Sequence, residues 1–171
     1  MYRRSKKVTV AQTVLSMLQA LGAIAVLLIT SLALYEASLS ACYLSPSLDK
    51  QPCDYAYGLA AVSITASFIV SLIQCFTCDL CGLGFLLDGL LTGAGTAWWV
   101  LGVIYLEDKV TPANNLNVAE ENWRNAVFYL AITIAALFFM SFVLSVLTLF
   151  DCLCCAQKDQ DVYVPPRYAE A

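Results

Sequence analysis

Four uninterrupted apolar blocks, at about residues 10–35, 57–76, 82–105 and 126–150, restrict this chain more than any other feature of its sequence. At about 1.5 Å per residue, each block is long enough as a helix to cross a hydrocarbon core of about 30 Å. Within that medium every backbone amide and carbonyl must be paired, and a lone segment can satisfy this only as a helix. Apolar residues make up 60% of the 171 and charged residues 13%, arranged in blocks rather than amphipathic repeats. That is the pattern of an integral membrane protein and not of a soluble core. The expected architecture is an all-α membrane protein, a four-transmembrane-helix bundle over 10–150. A basic segment at 1–9 precedes it, and a short polar tail at 151–171, expected to be disordered, follows.

The third block, CGLGFLLDGLLTGAGTAWWVLGVIY at 81–105, carries a single carboxylate, Asp88. An acid at that depth costs roughly 2.5–3.5 kcal/mol on insertion scales, so it should face protein or water rather than lipid. After it, Gly89, Gly93 and Ala97 recur every four residues and form one column, a candidate packing face for another helix. Counted inward from its end of the span, Asp88 lies about seven residues, or roughly 10 Å, deep. Ser16 and Gln19 on the first span, Ser71 on the second and Ser145 on the fourth reach similar depth. The expectation is a polar knot around Asp88, with Gln19 its direct partner because an amide can donate.

The basic cluster Arg3, Arg4, Lys6 and Lys7 directly precedes the first block and reads as a cytoplasmic topology signal. Four spans then place both termini in the cytoplasm. The apolar block exceeds the 7–15 residues of a typical signal core, which favours an uncleaved span. The loop at 36–56 becomes lumenal or extracellular, and its Cys42 and Cys53 form an even pair in an oxidising space. A disulfide is the natural reading there, free thiols the alternative. The loop at 106–125 falls on the same side; it is acidic and polar, with Pro112 expected to break any helix.

Catalysis finds little support. Histidine is absent, which removes the commonest general base and metal ligand, and no serine, cysteine or aspartate has an obvious catalytic partner. A net charge of −4 offers nothing to nucleic acid. Cys75, Cys78 and Cys81 have a spacing seen in metal sites, but juxtamembrane cysteines are more often S-acylated or apolar filler. No metal or cofactor is expected, and Cys152, Cys154 and Cys155 at the end of the fourth span are the lipidation candidates. In the tail, Pro165, Pro166 and Tyr168 form a Pro-Pro-x-Tyr motif, whose polyproline II shape suits the aromatic groove of a WW domain.

Three stretches carry a family likeness: CDYAYGLAAVSITASF at 53–68, LLDGLLTGAGTAWWVLGVIYL at 85–105 and ENWRNAVFYLAI at 121–132. In order and spacing they resemble the four-span MARVEL superfamily, and within it the synaptogyrin and synaptophysin branch. The resemblance implies a non-enzymatic protein of vesicle or specialised membranes, with cytoplasmic termini and disulfide-bearing lumenal loops, and it matches Asp88 to a third-span acid. The short first loop and short tail depart from that branch. The expected function is therefore a scaffold or trafficking role in vesicle or plasma membranes, through helix packing, the lipid bilayer, tail adaptors and possible homo- or hetero-oligomers. Two alternatives stand beside it: an ion- or proton-conducting subunit using Asp88, and a claudin-like cell-junction protein.

Overall fold

The computed structural model describes residues 6–36, 41–76 and 83–160, with side chains described over 10–36, 41–69 and 86–150. Four helices account for most of it: α1 (Lys6–Ile29), α2 (Gln51–Phe76), α3 (Leu83–Asn115) and α4 (Glu121–Gln160). Successive helices run antiparallel along the chain. α4 lies between α1 and α3, α2 packs mainly on α1, and the α2–α3 contact is slight by comparison. Among the described residues, three helical segments are long and apolar enough to cross a membrane: Val10–Leu34, Leu86–Asn115 and Glu121–Phe150.

At its far end α1 widens into a π-helical turn over Thr30–Leu34 and enters β1 (Tyr35–Glu36), which pairs antiparallel with β2 (Ala41–Cys42). Tyr43 N–H continues the ribbon by donating to Leu34 C=O at 2.9 Å. α2 then starts at Gln51, six residues before its apolar block. Pro52 is tolerated in a first turn, and Asp54 there complements the helix dipole.

The loop expected at 106–125 is mostly helix. α3 runs straight through Pro112 to Asn115, so this proline does not break it, and α4 begins at Glu121. What stops α3 lies further on. Val118 N–H donates to Ala113 C=O and Asn117 N–H to Asn114 C=O, both at 3.1 Å, while Asn117 sits at φ 52°. That is a Schellman terminus with asparagine in the left-handed position, the commonest substitute for glycine there. At the other limit α4 continues to Gln160, so ten residues assigned to the tail are helical. No glycine or proline interrupts DCLCCAQKDQ, and its second half is rich in good helix formers.

Among the described residues, the buried apolar core lies in one half of the bundle. It comprises Ala23, Val26 and Leu34 of α1 and its extension, Ala56, Leu59 and Ala60 of α2, Trp99, Leu106 and Val110 of α3, and Val127, Ala131, Ile134 and Phe138 of α4. This half is called the clasped end below, and the half near Lys6 the open end. Outward, large apolar side chains are exposed on all four helices, among them Leu21 and Leu32, Phe68, Leu90 and Leu101, and Phe139 and Phe150.

Close helix approach depends on three glycines outside the expected column. A Cβ on Gly22 would lie 2.8 Å from Ile134, one on Gly95 2.5 Å from Phe138, and one on Gly102 2.7 Å from Leu59. By contrast, Gly89 and Gly93 line an apolar groove between α3 and α4 with Leu90, Phe142 and Val146, and Ala97 is exposed. A Cβ on Gly89 would find Ser145 no nearer than 3.9 Å. Within the column Gly93 is close to α4, since a Cβ there would lie 3.2 Å from Phe142, but the tighter approach to α4 is at Gly95. Gly95→Ala should therefore cost about 1–3 kcal/mol by forcing the Phe138 ring aside, whereas Gly89→Ala should be near neutral. Thermal unfolding of the two variants in detergent checks this.

Candidate functional site

Two polar centres interrupt the apolar bundle, one in each half. The first surrounds Asp88, six residues into the described part of α3. Gln12 Nε2 of α1 donates to Asp88 Oδ2 at 3.0 Å and to Ser145 Oγ of α4 at 3.0 Å, and Ser145 Oγ donates to Asp88 Oδ2 at 2.6 Å. The three residues close a triangle that joins three helices. Ser145 is buried at 1% exposure, while Asp88 and Gln12 are half-buried.

Gln19 is not the direct partner of Asp88. It is buried and donates instead to Ser141 Oγ at 2.9 Å, making a second rung between α1 and α4 nearer the bundle's middle. The reason is helical phase. Gln12 and Gln19 are two turns apart and share the face toward α4, where Ser145 and Ser141 are one turn apart in the opposite direction. Gln12 reaches the acid because it stands at the level of Ser145, and Gln19 has already passed it. Ser16 lies one turn from Gln12 but is exposed. The side chain of Ser71 lies outside the described residues, as do those of Cys152, Cys154 and Cys155, and the whole of Pro165, Pro166 and Tyr168.

This geometry anchors helices through an acid. Replacing Asp88 by Asn should keep an acceptor for both donors and leave packing nearly intact. Asp88→Leu should strand the Gln12 amide and the Ser145 hydroxyl, at about 1–3 kcal/mol for each group left unpaired. Unfolding midpoints of the two variants, measured side by side, test the difference.

The second centre is Arg124, which the sequence did not single out. Three residues into α4, it is wholly buried. Its Nε donates to Asn114 Oδ1 at 2.6 Å, Nη1 to Tyr43 C=O at 2.8 Å and to Ala119 C=O at 3.1 Å, and Nη2 to Val118 C=O at 3.2 Å. Asn114 in turn donates through Nδ2 to Asn125 Oδ1 at 2.8 Å. The guanidinium thus ties α4 to the end of α3, the connecting turn and the first loop. Its charge sits at the carbonyl end of α3, where the helix dipole is negative. Only the rigid fork of five N–H groups can serve so many acceptors at once. The available signal was a single arginine in ENWRN at the edge of an apolar block, next to a polar loop rich in asparagine.

Cys42 and Cys53 are bonded, with S–S 2.02 Å and Cα–Cα 5.9 Å, as the loop's even cysteine pair suggested. The bond fastens β2 to the first turn of α2, and the next residue, Tyr43, is the one that Arg124 holds. Aromatic rings crowd the same end: Tyr55 and Tyr105 stack with centroids 4.1 Å apart, Tyr35 and Tyr57 meet edge-on at 6.4 Å, and Trp98 Nε1 donates to Leu59 C=O at 3.2 Å. Among the described residues, no group of His, Cys, Asp and Glu is placed to hold a metal. No family model, curated protein or solved structure matches this chain.

Proposed function

We propose that this chain is a non-enzymatic, four-span membrane protein that serves as a scaffold or trafficking component of vesicle or plasma membranes. The observation that carries the reading is the apolar surface on all four helices, including Val62, Phe68 and Ile69 of α2. So much exposed hydrocarbon suits a lipid surround and would drive association in water. α2 counts as the fourth span in this reading because it packs on α1 and its apolar block at 57–76 is long enough to cross. Tyrosine and tryptophan near the clasped end, among them Tyr129 and Trp123, suit an interfacial belt.

Orientation follows from chemistry at the two ends. The basic cluster before α1 favours a cytoplasmic open end, and the disulfide favours a lumenal or extracellular clasped end. The likeness of residues 53–68, 85–105 and 121–132 to the MARVEL superfamily, and to its synaptogyrin and synaptophysin branch, supports the same topology and a trafficking role. In it, Cys152, Cys154 and Cys155 are sites for S-acylation on the cytoplasmic side, and Pro165, Pro166 and Tyr168 a ligand for a WW-domain adaptor.

A conducting role for Asp88 is disfavoured by what lies beyond it. Past the Gln19–Ser141 rung the interior is filled by Ala23, Trp99, Ile134 and Phe138, which offer an ion no polar route. Imaging of tagged protein tests the proposal: residence on small vesicles or plasma membrane is expected, while confinement to cell contacts would favour a junction protein. Ion flux through liposomes that vanishes in Asp88→Asn would replace it with the conducting alternative.

A further inference from the structure

We propose that a fatty acyl chain, carried as a thioester on Cys152, lies in the apolar groove between α3 and α4. The groove has a volume of about 380 Å³ and is lined by Gly89, Leu90 and Gly93 on one wall and by Phe142, Val146 and Leu149 on the other. Between Leu86 and Ala94 it follows α3 for eight residues, about 12 Å. Ser145 supplies the polar lining, and its hydroxyl proton is already committed to Asp88 Oδ2 at 2.6 Å. Walls of this kind suit a linear hydrocarbon and give a polar ligand little reason to enter.

Helical phase turns the groove away from α1 and α2. On α3, Gly102 is the position pressed against Leu59 of α2, and Gly93 stands nine residues earlier, about half a turn round the helix. On α4, Ser141 is the position that meets Gln19 of α1, and Val146, five residues later, lies about 140° away. Leu86 and Leu90 are accordingly 51% and 62% exposed.

The attachment point follows from the register of α4, which is unbroken helix from Glu121 to Gln160. Position 152 comes three residues after Leu149, about 4.5 Å beyond the end of the groove, and seven after Ser145, two turns along the same face. Positions 154 and 155 lie about 120–140° round the helix from Leu149. A chain held at the edge of a bilayer turns back into hydrocarbon, because each methylene left in water costs transfer free energy. Along α4 the groove is the channel that receives it. Loading is an acyl transfer: the Cys152 sulfur attacks the carbonyl carbon of an acyl thioester donor, its C–S bond replaces the donor's, and the thiol proton leaves on the donor thiol. The inference rests on the S-acylation reading above and adds which cysteine carries the chain and where the chain goes.

The test uses full-length protein made in eukaryotic cells fed a palmitate analogue with a diazirine in its terminal half. After illumination and digestion, mass spectrometry should find cross-links to the α3 peptide that contains Gly89 and Gly93. They should vanish in Cys152→Ser and persist in Cys154→Ser and Cys155→Ser. Gly89→Leu fills the groove at a position where a Cβ has room, 3.9 Å from Ser145; it should abolish the α3 cross-links while Cys152 stays acylated. If Gly89→Leu elutes as aggregate, Ala94→Leu, at an exposed position of the same wall, decides by the same readout. No acyl group on any of the three cysteines would sink the S-acylation reading and this inference with it. Acylation of Cys154 or Cys155 without Cys152, or acylated Cys152 without α3 cross-links, would leave that reading standing and overturn the groove. Cross-links that survive Cys152→Ser would assign the groove to a free lipid chain, and cross-links between isotopically distinct copies would assign it to a second copy; either result overturns the proposal.

Discussion

Arg124→Ala should loosen the whole clasped end, lowering stability by roughly 3–5 kcal/mol, the scale on which a buried charged network responds to loss of one member. The side chain is wholly buried and serves four acceptors on three separate segments: Asn114, Tyr43, and the Val118 and Ala119 carbonyls. Removal leaves those acceptors in a space too enclosed for ready hydration, and each buried orphan adds its own desolvation penalty. Arg124→Lys should recover little, because a single ammonium cannot reach acceptors spread around a planar fork. Thermal unfolding in detergent and protease cleavage within residues 116–120 provide two readouts. A lysine variant as stable as the wild type would show that the charge alone matters and not the fork.

Joint replacement of Cys42 and Cys53 by alanine should cost roughly 2–3 kcal/mol in the chain-entropy account, given their sequence separation of 11. Both cysteines are fully buried, so a reductant should act on the folded protein slowly and on the unfolded protein quickly. The two losses should not add. Tyr43, which follows Cys42, donates to Leu34 and accepts from Arg124, so either change frees a strand that the other also needs. A triple variant less destabilised than the sum of its parts would measure that coupling. Simple additivity would mean that the loop is held independently at its two ends.

The helical class was legible because apolar blocks of this length suit a nonpolar solvent, which leaves the backbone few choices, and the blocks then fix roughly where the long apolar helices lie. The cysteine pair was legible for a similar reason: two cysteines stood in one short loop between spans. Asp88 could be marked as a polar anchor from its cost alone, and Ser145 from its depth. Depth, however, fixes only one coordinate. It pointed to Ser16 and Gln19 on α1 and passed over Gln12, whereas the packing of α1 against α4 sets Gln12 against Asp88 and Gln19 against Ser141 and leaves Ser16 exposed.

Pro112 and the glycines teach the same lesson from other directions. A proline predicts a break when local propensity decides, yet in α3 the next turn is secured by Leu116 N–H donating to Pro112 C=O, and packing of Val110 and Ala113 in the core carries the helix past it. Gly89, Gly93 and Ala97 had the right period, but period cannot say which side of a helix a neighbour will cover; Gly95, Gly102 and Gly22 are the ones pressed against Phe138, Leu59 and Ile134. The sequence by itself determined that the chain forms long apolar helices and roughly where they lie, because these follow from composition and from distance along the chain. Only the tertiary structure decided which groups meet, since azimuth and crossing angle arise from side chains of different helices packing together. It alone made Arg124 the lock of the clasped end, because the acceptors for that guanidinium come from Tyr43, Asn114, Val118 and Ala119, which the chain brings together only by folding.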